Sequence, residues 1–134
     1  MKLSIKFLII LFFIITGPVL YSQNYKFKTS SLSVSTKNEK GKWGEWSAPK
    51  NVNLIVTLDT KKNRIVVYSQ IIQLFEIVEY YDTDENDIDK VDTFYCKDNQ
   101  GEECTLSVIT RKKQENRKQL YINYEDRIIV YNLI

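Results

Sequence analysis

Two cysteines, Cys96 and Cys104, are the most sharply spaced reactive side chains in this 134-residue sequence. A three-residue turn at Asn99-Gln100-Gly101 sets Asp98 opposite Glu102, Lys97 opposite Glu103 and Cys96 opposite Cys104. In an oxidising compartment that pairing predicts a cross-strand disulfide. Closing so short a loop adds roughly 2.5 kcal/mol on a chain-entropy estimate. The alternative is two buried free thiols sharing a face.

Little else in the sequence points to reaction chemistry. The chain has no histidine, which removes the commonest general base and metal ligand and every Ser-His or Cys-His pair. Two cysteines alone do not build a standard zinc site. The four glycines form no phosphate-cradling loop. Glu76 and Glu79 have no visible carboxylate partner for paired acid–base work. Residues 82–87, Asp-Thr-Asp-Glu-Asn-Asp, approach a calcium loop through Asp82, Asp84 and Asn86. Asp87, however, stands at the glycine position and Thr93 at the bidentate-glutamate position. The expectation is a non-enzyme that needs neither metal nor cofactor.

Two further groups are suited to binding. Arg111, Lys112, Lys113, Arg117 and Lys118 form a basic loop that could touch lipid headgroups or an acidic partner, though a solvated loop is the favoured reading. Trp43 and Trp46 are placed either to line a ligand pocket or to plug one end of a barrel.

The elements that must position these groups begin after residue 22. Lys2 and Lys6 precede an apolar run over residues 7–15, and Thr16-Gly17-Pro18 then leads to Ser22. That order reads as a cleavable signal peptide, residues 1–22, and predicts export to the periplasm or exterior. The run is short for a bilayer span, which needs about 20 apolar residues, so no stable membrane span is expected after cleavage. Removing Lys2 and Lys6 turns 19 basic and 17 acidic residues into a balanced mature chain. Nucleic-acid binding needs a surplus of positive charge and is not expected. Residues 23–134 read as a single domain.

That domain is rich in Val, Ile, Thr, Tyr and Phe, with Ala48 its only alanine, a composition that favours strands. Strands are expected over residues 25–36, with a bulge near Ser30, and over 51–59, 64–69, 91–97, 103–111, 119–124 and 127–133, plus a short return at 43–47. Val52, Leu54, Val56 and Leu58 alternate onto one face, as do Phe94 and Cys96, then Cys104, Leu106 and Val108, then Leu120 and Ile122. Residues 70–81 carry both helical and strand spacing, and the strand-rich neighbourhood favours the strand. Asn63 and Gly101 are the turn residues suited to positive φ. The fold class is therefore all-β, an antiparallel up-and-down meander of about eight strands closed into a small barrel, which protects its edges. A two-layer sandwich is the alternative.

Gly41-Lys42-Trp43 beside the first strand, followed by a meander, resembles the lipocalin and calycin pattern. That resemblance implies an eight-stranded barrel, a tryptophan at its closed end and an apolar ligand inside. The Trp43/Trp46 pair and the hairpin from Leu58-Asp59 to Arg64-Ile65 are similar to small exported bacterial proteins of unknown function. So are Phe94-Tyr95-Cys96 with residues 98–104, and the final hairpin through Val130-Tyr131-Asn132. Two functions follow as expectations. One is an interaction or structural module of the cell envelope with a packed core, met by a protein partner. The other is a lipocalin-like carrier of a small apolar ligand. The inward faces carry no assured polar anchor; Tyr68 and Tyr95 are the candidates, which favours the packed core.

Overall fold

The computed structural model describes residues 24–134. The signal-peptide reading of residues 1–22 lies outside them. The elements are β1 (Asn24–Thr36), β2 (Lys50–Asn51), β3 (Ile55–Asp59), β4 (Arg64–Tyr68), β5 (Gln73–Tyr80), β6 (Asp84–Glu85), β7 (Asp89–Lys97), β8 (Glu103–Arg111), β9 (Arg117–Asn123) and β10 (Arg127–Leu133). The expected bounds of the β8 and β10 strands are reproduced, and residues 70–81 form a strand, β5. The short return at residues 43–47 is instead a single bridge, Lys37 with Trp43.

Sequential antiparallel pairing runs β1-β3-β4-β5-β7-β8-β9-β10, and β10 returns to pair with β1. Those eight strands form a closed antiparallel barrel, and β2 and β6 are short additions on β1 and β7. The closure follows from the composition: alternating apolar strands joined by tight turns leave edges that only closure removes. Asn63 and Gly101 do adopt the left-handed conformation, at φ 52° and 78°.

β1 is long enough to serve several neighbours in turn. Its first half pairs with β3 and its second half with β10 and β2, with a register shift between Thr29 and Ser31. The bulge expected near Ser30 is this shift. Buried Thr29 spans the gap: its hydroxyl donates to the Val52 carbonyl at 2.7 Å and accepts the Leu54 amide at 2.8 Å.

The pleat sends alternate residues inward. Val56, Leu58, Ile65, Val67, Phe75, Ile77, Leu106, Leu120, Ile122 and Tyr131 are among the buried core, with Val52, Leu54 and Val108 packed against it. Each inward face read from the sequence is thus an inner face of the barrel.

The disulfide expectation is corrected. Cys96 and Cys104 do lie directly opposite each other and are buried, but both are free. The hairpin end explains this. The Asp98 amide bonds the Glu102 carbonyl at 3.0 Å. Strict alternation along the ladder then makes Cys96–Cys104 a hydrogen-bonded pair, in which side chains stand farther apart than in the intervening pairs. A disulfide needs β-carbons about 3.5–4.5 Å apart. The Cys96 thiol instead points to the Phe94 carbonyl, 3.8 Å away.

Candidate functional site: the mouth of the barrel

Three adjacent strands place the side chains of one barrel end. Across β7, β8 and β9 the inward rows run Cys96–Cys104, then Phe94–Leu106–Ile122, then Asp92–Val108–Leu120, then Lys90–Thr110–Lys118. The rows change from apolar to charged toward the end where β7 begins and β8 ends. On the opposite wall, Tyr25 pairs with Leu58 and Phe27 with Val56, and on β5, next to β7, Tyr80 pairs with Phe94.

These residues line a half-open cavity of about 430 Å³, walled by Tyr25, Phe27, Leu58, Tyr80, Phe94 and Val108, with Thr60, Lys90, Asp92 and Lys118 among its polar groups. Ligand pockets span roughly 300–1,000 Å³ and combine apolar walls with a few polar groups. Tyr80 packs edge-on against Phe94, ring centres 5.6 Å apart, and donates its hydroxyl to Asn63 Oδ1 at 2.7 Å. Burial, then the nearby Cys96 and Asp59, raise the Tyr80 hydroxyl above its ordinary value. Asp92 accepts the Thr83 hydroxyl at 2.6 Å, and Lys118 donates to the Thr110 hydroxyl at 2.9 Å. No ion pair reaches Lys90 or Lys118 among the described residues.

The opposite end, where a smaller open cavity of about 250 Å³ is bordered by Phe75, Asp98, Tyr124 and Arg127, is crossed by polar contacts. The Tyr124 hydroxyl donates to Asp98 Oδ2 at 2.8 Å, and the Arg127 guanidinium lies 3.8 Å from the Tyr124 ring centre. Arg127 also pairs with Glu102 at 3.1 Å. Burial by itself would raise the Asp98 carboxyl. The Tyr124 hydroxyl, the amides of Glu102 and Gln100 and the Arg127 charge outweigh it, and the carboxyl sits below its ordinary value.

The residues singled out from sequence are dispersed. Trp43 and Trp46 are half-exposed on the excursion between β1 and β2, with Lys37 Nζ 5.1 Å from the Trp43 ring centre. Neither lines the mouth cavity. Tyr68 is exposed, and Tyr95, which pairs with Thr105, lies on the outward phase of β7. Of the basic loop, Arg111 pairs with Asp89 at 3.1 Å and Lys112 with Glu85 at 3.0 Å, while Lys118 alone turns to the cavity. Asn86 Oδ1 is occupied by the amides of Ile88 and Asp89, both at 2.8 Å.

The residues that sequence reading missed are Lys90, Asp92, Tyr80 and Tyr25. The signal for two of them was present. The phase set by Phe94 and Cys96, continued backwards by twos, reaches Asp92 and Lys90, but a strand begun at Val91 leaves Lys90 in a loop. Comparison with protein-family models, with curated proteins and with solved structures finds no match, so what is established is an eight-stranded antiparallel barrel.

Proposed function

We propose that the protein is an exported carrier of a small, largely apolar ligand held in the mouth of the barrel, rather than a module with a filled core. One observation carries this reading: the core is packed over most of its length yet leaves about 430 Å³ open at one end. Close-packed interiors rarely leave voids larger than a water molecule. Tyr25, Phe27, Tyr80 and Phe94 supply rigid aromatic walls, which bind apolar surface at low entropic cost.

Native mass spectrometry of protein purified from its own host tests the reading. The expected spectrum contains a small bound molecule, and Val108→Phe, which fills the cavity from its wall, removes that mass while the melting temperature stays within a few degrees. A mass-clean protein that also takes up no added apolar ligand would return the choice to an interaction module acting through its outer surface.

A further inference from the structure

We infer that the ligand is a single-chain amphiphile with an anionic headgroup, its carboxylate received by Lys90 and Lys118 at the lip and its chain lying among the aromatic walls. This rests on the carrier reading and adds the chemistry of the ligand's head.

The geometry is a consequence of register. Thr110 stands opposite Lys90 on one side and Lys118 on the other, so two ammonium groups and a hydroxyl share one inward row at the opening. An aliphatic lysine stem lies along apolar wall while its head stays at the water boundary. Neither ammonium is neutralised by an ion pair among the described residues. Two neighbouring acids are engaged elsewhere: Glu85, the cross-strand partner of Lys90, pairs with Lys112 at 3.0 Å, and Asp89 pairs with Arg111 at 3.1 Å. The Lys112 hydrogen bond holds the Glu85 carboxyl below its ordinary value, with a smaller contribution from Lys90.

Asp92 is the lining carboxylate, one row deeper, and already accepts the Thr83 hydroxyl at 2.6 Å. Two cations against one anion leave the opening net positive, and a carboxylate there makes charge-assisted hydrogen bonds, the stronger class. The aromatic walls would also suit a quaternary ammonium, but such a head would face both lysines. A cavity of about 430 Å³ is at the small end of the ligand-pocket range, which fits one chain of medium length.

Calorimetry at pH 7.5 with dodecanoate, dodecanol and dodecyltrimethylammonium separates the possibilities. Dodecanoate is expected to bind about tenfold tighter than dodecanol, in line with a charged hydrogen bond. The double substitution Lys90→Gln, Lys118→Gln is expected to bring the two to parity, leaving dodecanol binding unchanged and the circular-dichroism spectrum intact. A phosphate-headed chain, dodecyl phosphate, reports whether the lysines favour a carboxylate or accept any anion; binding more than tenfold tighter than dodecanoate would overturn the carboxylate assignment. Equal binding of dodecanoate and dodecanol by the unsubstituted protein would overturn the headgroup inference and leave the carrier reading standing. Tightest binding of the ammonium would overturn it in favour of Asp92. Binding of none of the four would overturn both.

Discussion

The two thiols show how local geometry decides chemistry. Burial first, and then the neighbouring thiol, push Cys96 up to about 12. Burial, then the Asp98 charge, push Cys104 up to about 12. A thiol is neutral when protonated, so a folded value above the ordinary one means the fold holds its proton more tightly than the unfolded chain. The associated stability is complete below about pH 9 and is lost as pH rises from there toward 12, at roughly 1.4 kcal/mol per pH unit for each thiol. Urea midpoints are expected to be flat between pH 6 and 8 and to fall above pH 9. In the Cys96→Ala, Cys104→Ala variant part of that fall disappears, since the contribution of the thiols to it is gone. Thiol labelling should find two free cysteines in urea and slow reaction in the native protein. Identical pH slopes in the two proteins would show that the thiols are not held protonated by burial.

Among the elements, β1 concentrates the most consequence in the fewest residues. Where it exchanges β3 for β2, Thr29 replaces missing ladder bonds with its own hydroxyl. Thr29→Val keeps the volume but leaves the Val52 carbonyl and Leu54 amide without a partner, at a cost of about 1–3 kcal/mol per stranded group. Thr29→Ser should recover most of that in urea titrations, and a Val variant as stable as the parent would show that water takes the hydroxyl's place. The bulge was legible because the apolar phase changes between Phe27 and Leu32. Its hydroxyl bridge was not, since the partner carbonyl lies beyond the excursion through Trp43 and Trp46. The same division holds at the site. Alternation gave the inward faces of β3, β7, β8 and β9, but the charged lip depends on how far β7 extends, and its start at Asp89 is fixed by pairing with Arg111.

At the scale of the whole molecule, eight strands set an interior that side chains can fill or that can hold one small ligand, and this barrel has a packed core with open cavities toward its two ends, the larger at the mouth. No helix among the described residues is long and apolar enough to cross a membrane. Closure is reinforced outside the barrel by a polar ladder. Asn132 donates to Ser31 at 2.7 Å and accepts from Gln119 at 2.9 Å, and Arg111 reaches from Gln119 at 3.3 Å to Asp89 at 3.1 Å. Five strands, β1, β10, β9, β8 and β7, are thereby linked in one line around the wall.

The pairing of β1 with β10 also orders events in time. Leu32 and Tyr131 are partners, yet ribosomal synthesis makes β1 before almost everything else in the barrel and β10 after it. Until β10 arrives, the second half of β1 has an open edge of unpaired amides and carbonyls next to apolar Leu32 and Val34, the kind of edge that recruits other chains. Contacts this distant in sequence also form slowly. Deleting residues 127–134 should therefore yield oligomers by light scattering rather than a loosened monomer, and adding the deleted segment as a peptide during refolding should restore the monomer. A soluble, monomeric truncation would show that the nascent barrel guards this edge by other means. For a carrier, the consequence is that the cup exists only once the chain is nearly finished, so its ligand can be loaded only after synthesis, in whichever compartment the barrel finally closes.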